Sequence, residues 1–377
     1  MNKINVLIIG DANAGLITAN KLRMHTGNDV NITVVGKSEK TYFKPEGVLI
    51  PFNGIDYRDT VKPTDSLLNY GINRIKSMAK KINPDNRMVL LENGKTIEYD
   101  YLVIATGDRL VPENVPGYNK DVYHFYDMEN VLKLRDKLNN LKAGKFVVGP
   151  ASIPFQCPVA PEEFVFGLDM LLRRKGIRED SDITLILPMD DVLPFKNVSD
   201  LERKGFSELG INFIPKFKTQ AVDTSKGTIV AESGESLNYD TLVLVPPHMG
   251  QNVIIDSGMG TAKGFIDVDK FTMKYKNYDN IFVVGDAANF PMKVGALGHS
   301  EAAYVASKIA AECDGTINDD KFDGFMGCSS VYSDKLGFTL SFDYNSKPFV
   351  NFPSKTDYFL KYISGDTYFS SIIRGIL

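Results

Sequence analysis

The 377-residue chain has no tryptophan, only four histidines and only three cysteines. Three cysteines cannot build a disulfide framework, so Cys157, Cys313 and Cys328 are not structural staples. No His/Cys cluster has metal-ligand spacing, so no metal site is expected, and no nucleophile-elbow pattern occurs. Basic residues are not in excess: 43 Lys and Arg stand against 47 Asp and Glu, a net charge of −4. That balance sets aside a general nucleic-acid binder, which carries a basic face. No uncharged apolar run reaches the 18 residues of a membrane-spanning helix. The chain opens directly into an apolar run at Ile4 with no signal-peptide pattern, which makes the cytoplasm the expected compartment. What is present is a core-forming composition, 43% hydrophobic, and length for two or three domains.

The first recognisable unit reads strand, turn, helix, strand. Ile4–Ile9 is a buried-strand run, Gly10-Asp-Ala-Asn-Ala-Gly15 a turn, Ala14 to Met24 a helix, and Val30–Val35 a second strand. This is a βαβ unit with a right-handed crossover. Gly10 permits the tight turn, Gly15 lets helix and strand pack closely, and the helix N-terminus offers amides to a pyrophosphate. Two residues depart from the dinucleotide pattern: Ala12 replaces its middle glycine, and Gly36 stands where an acid would bind a ribose hydroxyl.

A segment of this unit recurs. Met88–Gly94 leads through a hairpin to Tyr99-Asp-Tyr-Leu-Val-Ile-Ala-Thr-Gly107, and Thr228–Gly234 leads to Tyr239-Asp-Thr-Leu-Val-Leu-Val-Pro-Pro247. Two copies of one segment predict two copies of a domain. The second βαβ unit is assigned to Phe146–Val148, a turn bearing Cys157, a helix near Phe164–Arg174 and strand Ile183–Leu187. Between the units, Val131, Leu134, Leu138 and Leu141 form the packing stripe of an amphipathic helix. In the second turn Pro150, Pro154, Pro158 and Pro161 replace the glycines that grip a nicotinamide dinucleotide, and a thiol is placed among them. This suggests an enzyme that takes electrons at sulfur. The fold class is α/β: two Rossmann-like dinucleotide-binding domains with a C-terminal amphipathic tail.

Ala105-Thr106-Gly107 ends a strand, as does Gly285-Asp286, and Ala287-Ala288 then opens a helix whose N-terminus can face a phosphate or a flavin carbonyl. With Gly10–Gly15, these segments resemble the two-dinucleotide-domain flavoproteins, in order and over almost the whole chain. The resemblance implies FAD held by Gly10, Ala12, Ala14, Gly15, Pro45, Ala105, Thr106, Gly107, Gly285 and Asp286. It implies an FAD domain of residues 1–110 plus 265–320, a second domain of 111–264 carrying Cys157, and a C-terminal segment of 321–377. Further segments, Cys157-Pro-Val-Ala-Pro-Glu-Glu163, Gly327-Cys328, Val245-Pro-Pro-His248 and Lys293-Val-Gly295, resemble the sulfide:quinone oxidoreductases and the flavoprotein subunit of flavocytochrome c sulfide dehydrogenase.

That resemblance implies hydrogen sulfide and a membrane quinone as substrates. Cys157 would hold substrate sulfur, Cys328 attack the flavin, Glu163 move protons, and Lys293 stabilise negative charge on reduced flavin or quinone. Cationic or helix-N-terminal surroundings are expected to lower the thiol pKa values. Glu163 also reads as a helix N-terminal acid, a role Glu162 fits better. His248 and His124 are weaker candidates for proton transfer; His25 and His299 have none, and Cys313 reads as a buried apolar residue. Many members of the family carry a third cysteine after the Ala-Thr-Gly segment, and Arg109 to Asp136 contains none. A sulfide dehydrogenase serving a cytochrome, a type II NADH dehydrogenase and a non-enzymatic scaffold or redox sensor remain alternatives.

Residues 346–377 carry seven aromatic side chains and four basic residues against two acids. Such a tail lies on a membrane interface or packs on the flavin domain or a partner copy in a homo-oligomer. The resemblance favours a monotopic anchor, peripheral to the cytoplasmic side of the membrane.

Overall fold

The computed structural model describes residues 3–52 and 54–376; Leu377, read above as part of the tail, lies outside them. In chain order the elements that build the molecule are β1 (Ile4–Ile9), α1 (Asn13–Thr26), β2 (Val30–Val35), β3 (Asn73–Ile75) and β4 (Tyr101–Ile104). After the amphipathic helix α2 (Met128–Asn139) come β5 (Lys145–Pro150), α3 (Ala160–Arg174), β6 (Asp182–Ile186), α4 (Lys196–Leu209), β7 (Ile211–Ile214) and β8 (Thr241–Val245). The chain closes with β9 (Ile281–Val283), α5 (Gly295–Cys313), β10 (Met326–Ser333), β11 (Leu336–Phe342) and α6 (Lys355–Tyr368).

Two parallel sheets result. The first runs β9-β4-β1-β2-β3, so a strand from residues 281–283 completes a sheet begun at residue 4. The second runs β7-β6-β5-β8. Their strands are near-continuous apolar runs because both faces are covered, one by helices and the other largely by an antiparallel ribbon: Val6 to Ile9, Leu102 to Ile104 and Leu242 to Val245 are all buried.

The repeated segment has one physical purpose in both copies. Each forms a three-stranded antiparallel ribbon, Ala79–Asn83 with Met88–Leu91 and Thr96–Glu98, then Thr219–Asp223 with Thr228–Ala231 and Ser236–Asn238. The Asp of each Tyr-Asp pair then clamps its sheet: Asp100 accepts from the Asn5 amide and Asp240 from the Lys145 amide, both at 2.7 Å.

α3 starts at Ala160, one turn earlier than the apolar pattern suggests. Pro161 sits in its first turn, where a proline loses no hydrogen bond and its fixed φ suits a helix. In the C-terminal segment the packing reading holds for part of the tail. Ser354 caps α6 by accepting from the Asp357 amide. Tyr368 is wholly buried, its ring 4.3 Å from that of Phe43, and Ile373 is buried beside it. Phe349, Phe352, Phe359, Leu360 and Ile376 face outward and are exposed.

Candidate functional site

The two glycines of the first loop are required by close approach. Gly10 has φ +115°, and a Cβ there would overlap the Ala105 carbonyl oxygen; one on Gly15 would overlap the Gly10 carbonyl oxygen. The loop is thereby pressed against the Ala105-Thr106-Gly107 segment at the end of β4. On the other side α5 crosses with Gly298 against Gly285; a Cβ on Gly298 would lie 3.1 Å from the Gly285 Cα. α5 begins at Gly295, where a Cβ would meet nothing within 4 Å, and its first turn lines a crevice with Gly285, Asp286 and Lys293. Ala12 lies exposed at the mouth of the loop, and Ala14 packs near Gly285.

The crevice is lined with polar groups that lack partners. Thr106 Oγ1 and Asp108 Oδ2 are buried and accept or donate no hydrogen bond among the described residues. Gln156 bridges the floor: its Nε2 donates to Asp108 Oδ1 (2.6 Å) and Asp286 Oδ2 (2.9 Å), while its Oε1 accepts from Lys44 Nζ at 3.3 Å, next to Pro45. Burial and the nearby Asp108 push the Asp286 carboxyl up to about 6, against the pull of Lys44 and Lys293. Two tightly packed glycines, a helix N-terminus lining the crevice, an orphaned hydroxyl and an orphaned carboxylate oxygen fit a flavin dinucleotide. The amides suit its pyrophosphate and the carboxylates its hydroxyls.

The Cys157 turn bends onto the same crevice. Cys157 has φ +48°, a left-handed backbone that a non-glycine residue rarely adopts, and its amide donates to the Lys293 carbonyl at 2.6 Å. Cys328 lies on β10, opposite Leu340 of β11. The fold bridges their separation of 171 positions: Lys361 and Glu163 bear on the ionisation of both thiols, and Cys328 on that of Cys157.

Both thiols are pushed up rather than down, correcting the expectation of activated thiolates. Burial, with help from Cys328, raises Cys157 to about 12, and burial raises Cys328 to about 11. The opposing group is Lys361 of α6, which lowers both without prevailing. Lys361 is absent from the residues singled out in the sequence. It shares a helix face with Tyr358 and Tyr368, and that i, i+3, i+10 spacing was the only signal available. Burial opposes its charge, but Glu163 and the two cysteines outweigh that, so its pKa is raised.

Glu163 stands beside the cysteines with both carboxylate oxygens engaged. Oε2 accepts from Lys361 Nζ at 2.9 Å and Oε1 from the Val331 amide at 2.8 Å, three residues beyond Cys328. It clasps α6 and β10 together, which is a holding role. Glu162 stands in the first turn of α3, as read, but is wholly buried; neither oxygen has a side-chain partner among the described residues, and Glu202 of α4 is equally buried and equally unpartnered. Lys293 does not point a free ammonium into the crevice. Its Nζ donates to the carbonyls of Asp286 and Ala288 and sits 3.8 Å from the centre of the Phe265 ring. It therefore shapes the Gly285–Ala288 turn. Burial lowers His248 and His124 to about 4, so both are uncharged near neutral pH and poor proton carriers there. His299 faces the Tyr368 ring, and Cys313 ends α5 away from the other two cysteines.

Residues 4–310 match the family model for pyridine nucleotide-disulphide oxidoreductases. The chain is 27% identical over 394 aligned positions to the mitochondrial sulfide:quinone oxidoreductase of Dictyostelium discoideum, covering 99% of this chain and 87% of that one. It is 25% identical over 364 positions to the mitochondrial sulfide:quinone oxidoreductase of Mus musculus, covering 93% and 81%. The structure of the sulfide:quinone oxidoreductase from Aquifex aeolicus superposes with a TM-score of 0.85 at 22% identity, over 99% of this chain and 92% of that one. Crevice, fold and sequence agree: the chain belongs to the pyridine nucleotide-disulphide oxidoreductase family, is an FAD-dependent oxidoreductase, and is similar over nearly its whole length to the sulfide:quinone oxidoreductases.

Proposed function

We propose that the protein oxidises hydrogen sulfide to zero-valent sulfur at a Cys157–Cys328 pair and passes the electrons through FAD to a membrane quinone. The observation that carries this reading is the convergence of Cys157, Cys328 and the Lys361 ammonium beside the flavin crevice. In the oxidised state the two sulfurs form a disulfide. Hydrosulfide attacks it: a new S–S bond forms to Cys157, the Cys157–Cys328 bond breaks, and Cys328 leaves as a thiolate. Each hydrosulfide that becomes a sulfane sulfur releases two electrons and one proton. The raised thiol pKa values assign the attack to hydrosulfide, since resting thiols here stay protonated near neutral pH. Lys361 supplies the positive charge that stabilises the departing thiolate, and Glu163 holds that ammonium in place. FAD, when bound, supplies a two-electron acceptor next to the sulfur pair. Gly10, Ala12, Ala14, Gly15, Pro45, Ala105–Gly107, Gly285 and Asp286 are the residues we assign to it, within a discontinuous domain of residues 1–110 and 265–320.

The second βαβ turn supports sulfide over NADH as electron donor. Gly149 is packed against the Ile186 carbonyl, and the first turn of α3 carries Glu162 and Glu163, acids that repel a pyrophosphate from that helix N-terminus. No helix among the described residues is long and apolar enough to cross a membrane. The exposed Phe349, Phe352, Phe359, Leu360 and Ile376 supply an apolar face for peripheral attachment, on the cytoplasmic side in our reading, through which a quinone enters. Anaerobic mixing with sulfide, followed by the flavin absorbance, tests the proposal. Sulfide bleaches the wild type and NADH does not; Cys157→Ala and Cys328→Ala lose the fast phase. Equal bleaching rates in wild type and both variants would overturn the cysteine mechanism.

A further inference from the structure

The acid that dinucleotide folds place at the end of their second strand, to accept hydrogen bonds from a ribose, is replaced here by Gly36. The structure shows what fills its place. A Cβ built on Gly36 would fall within the carboxylate of Asp11, so the two positions compete for one volume. Only glycine at 36 leaves room for an acid at 11. Asp11 lies between Gly10 and the N-cap residue of α1, so its carboxylate flanks the turn that faces the pyrophosphate.

Asp11 is 4% exposed, and its hold is one-sided. Oδ2 accepts from the Ser38 amide at 3.0 Å, from Arg74 Nε at 3.2 Å and from Arg74 Nη2. Oδ1 receives no hydrogen bond from any described residue, yet it is not among the sealed, unpartnered atoms. Arg74 is itself fixed, donating to Asp65 Oδ1 and the Ser38 carbonyl at 2.6 Å each. A guanidinium locked on one oxygen aims the other. A carboxylate so presented, at the end of β2 and beside a pyrophosphate turn, has the chemistry to accept a hydroxyl of a vicinal diol.

We propose that Asp11 is the ribose-binding acid for the adenosine half of FAD, relocated from the strand end into the glycine loop and positioned by Arg74. The proposal rests on the assignment of FAD to this crevice. Flavin release from the purified holoenzyme, followed by fluorescence, gives FAD dissociation constants for the test. Asp11→Ala weakens FAD about 10- to 100-fold, the loss of one charge-assisted hydrogen bond. The double variant D11G/G36E, which returns the acid to the strand end, recovers affinity to within about threefold of wild type. An FAD analogue lacking the 2′ and 3′ hydroxyls of the adenosine ribose separates recognition from folding. Wild type prefers FAD to the analogue, and Asp11→Ala binds the two alike.

Three results overturn the proposal: Asp11→Ala holding FAD as tightly as wild type, continued discrimination against the analogue by Asp11→Ala, or no recovery in a folded D11G/G36E. Wild-type protein that binds no flavin at all overturns the FAD assignment instead, and the proposal with it.

Discussion

Glu202→Gln should stabilise the protein at alkaline pH and leave it nearly unchanged at acid pH. Glu202 and Glu162 are fully buried, and among the described residues none of their four carboxylate oxygens has a hydrogen-bond partner. Burial, then Asp191 and Glu163, push Glu202 up to about 8; burial, then Glu202, push Glu162 well above the carboxylate range. In the unfolded chain a glutamate titrates near 4.5. Between that value and about 8 the unfolded state sheds a proton that the folded state keeps, so stability falls as pH rises through this window and is flat below it. The ceiling on the loss at pH 8 is about 5 kcal/mol, from about 1.4 kcal/mol per pH unit. A glutamine removes the titration and can donate an N–H to Glu162. Urea unfolding and melting, followed by far-UV circular dichroism, should show a gain at pH 8 of about 2–5 kcal/mol, or roughly 3–6 °C in Tm for a chain of this size. At pH 5 the gain should shrink below about 1 kcal/mol. Equal effects at the two pH values, or destabilisation at pH 8, would show that the pair does not titrate as its burial demands.

Lys361→Met removes the charge beside both thiols and strands Glu163 without its partner. Folding stability should drop by about 3–5 kcal/mol, and the pH midpoint for iodoacetamide alkylation of Cys157 and Cys328 should move upward; an unmoved midpoint would separate Lys361 from the thiols. Asp100→Ala and Asp240→Ala each remove one clamp near the start of a strand and should cost about 1–3 kcal/mol by urea unfolding, additively, because they act on different sheets. Phe352→Asp with Phe359→Asp should abolish sedimentation with anionic lipid vesicles while leaving the melting temperature within about 2 °C, since both side chains are exposed; retained binding would place the membrane face elsewhere.

What could be read from the sequence was whatever depends on neighbours along the chain. Buried-strand runs, the Gly10–Gly15 turn and the recurring Tyr-Asp hairpin are local signals, and each has its counterpart in the two parallel sheets and the paired clamps. What depends on residues far apart was hidden. Gly36 reads as a defect until Asp11 is seen in the volume it vacates. Lys361 sits in an aromatic tail, and nothing in that tail says that one lysine turns inward to Glu163, 198 positions earlier. The sign of the thiol shift was misjudged for the same reason: a proline-rich turn announces rigidity, but burial is a property of what the rest of the chain lays over it. Lys293 shows the converse error, a charge placed correctly near the site but already committed to two carbonyls.

The inward turn of Lys361 also sets the order in which competence is acquired. The Gly10 loop, the Cys157 turn and the Cys328 strand all precede it in the chain, so the ammonium is the last of these parts to be synthesised. Until α6 docks, Glu163 has lost its clasp and any thiolate formed nearby has no counter-charge. The same helix neighbours the exposed apolar face. On the proposed mechanism the sulfur pair is thereby tied to the segment that carries the exposed apolar side chains, and a copy lacking that segment would hold both cysteines without the Lys361 charge.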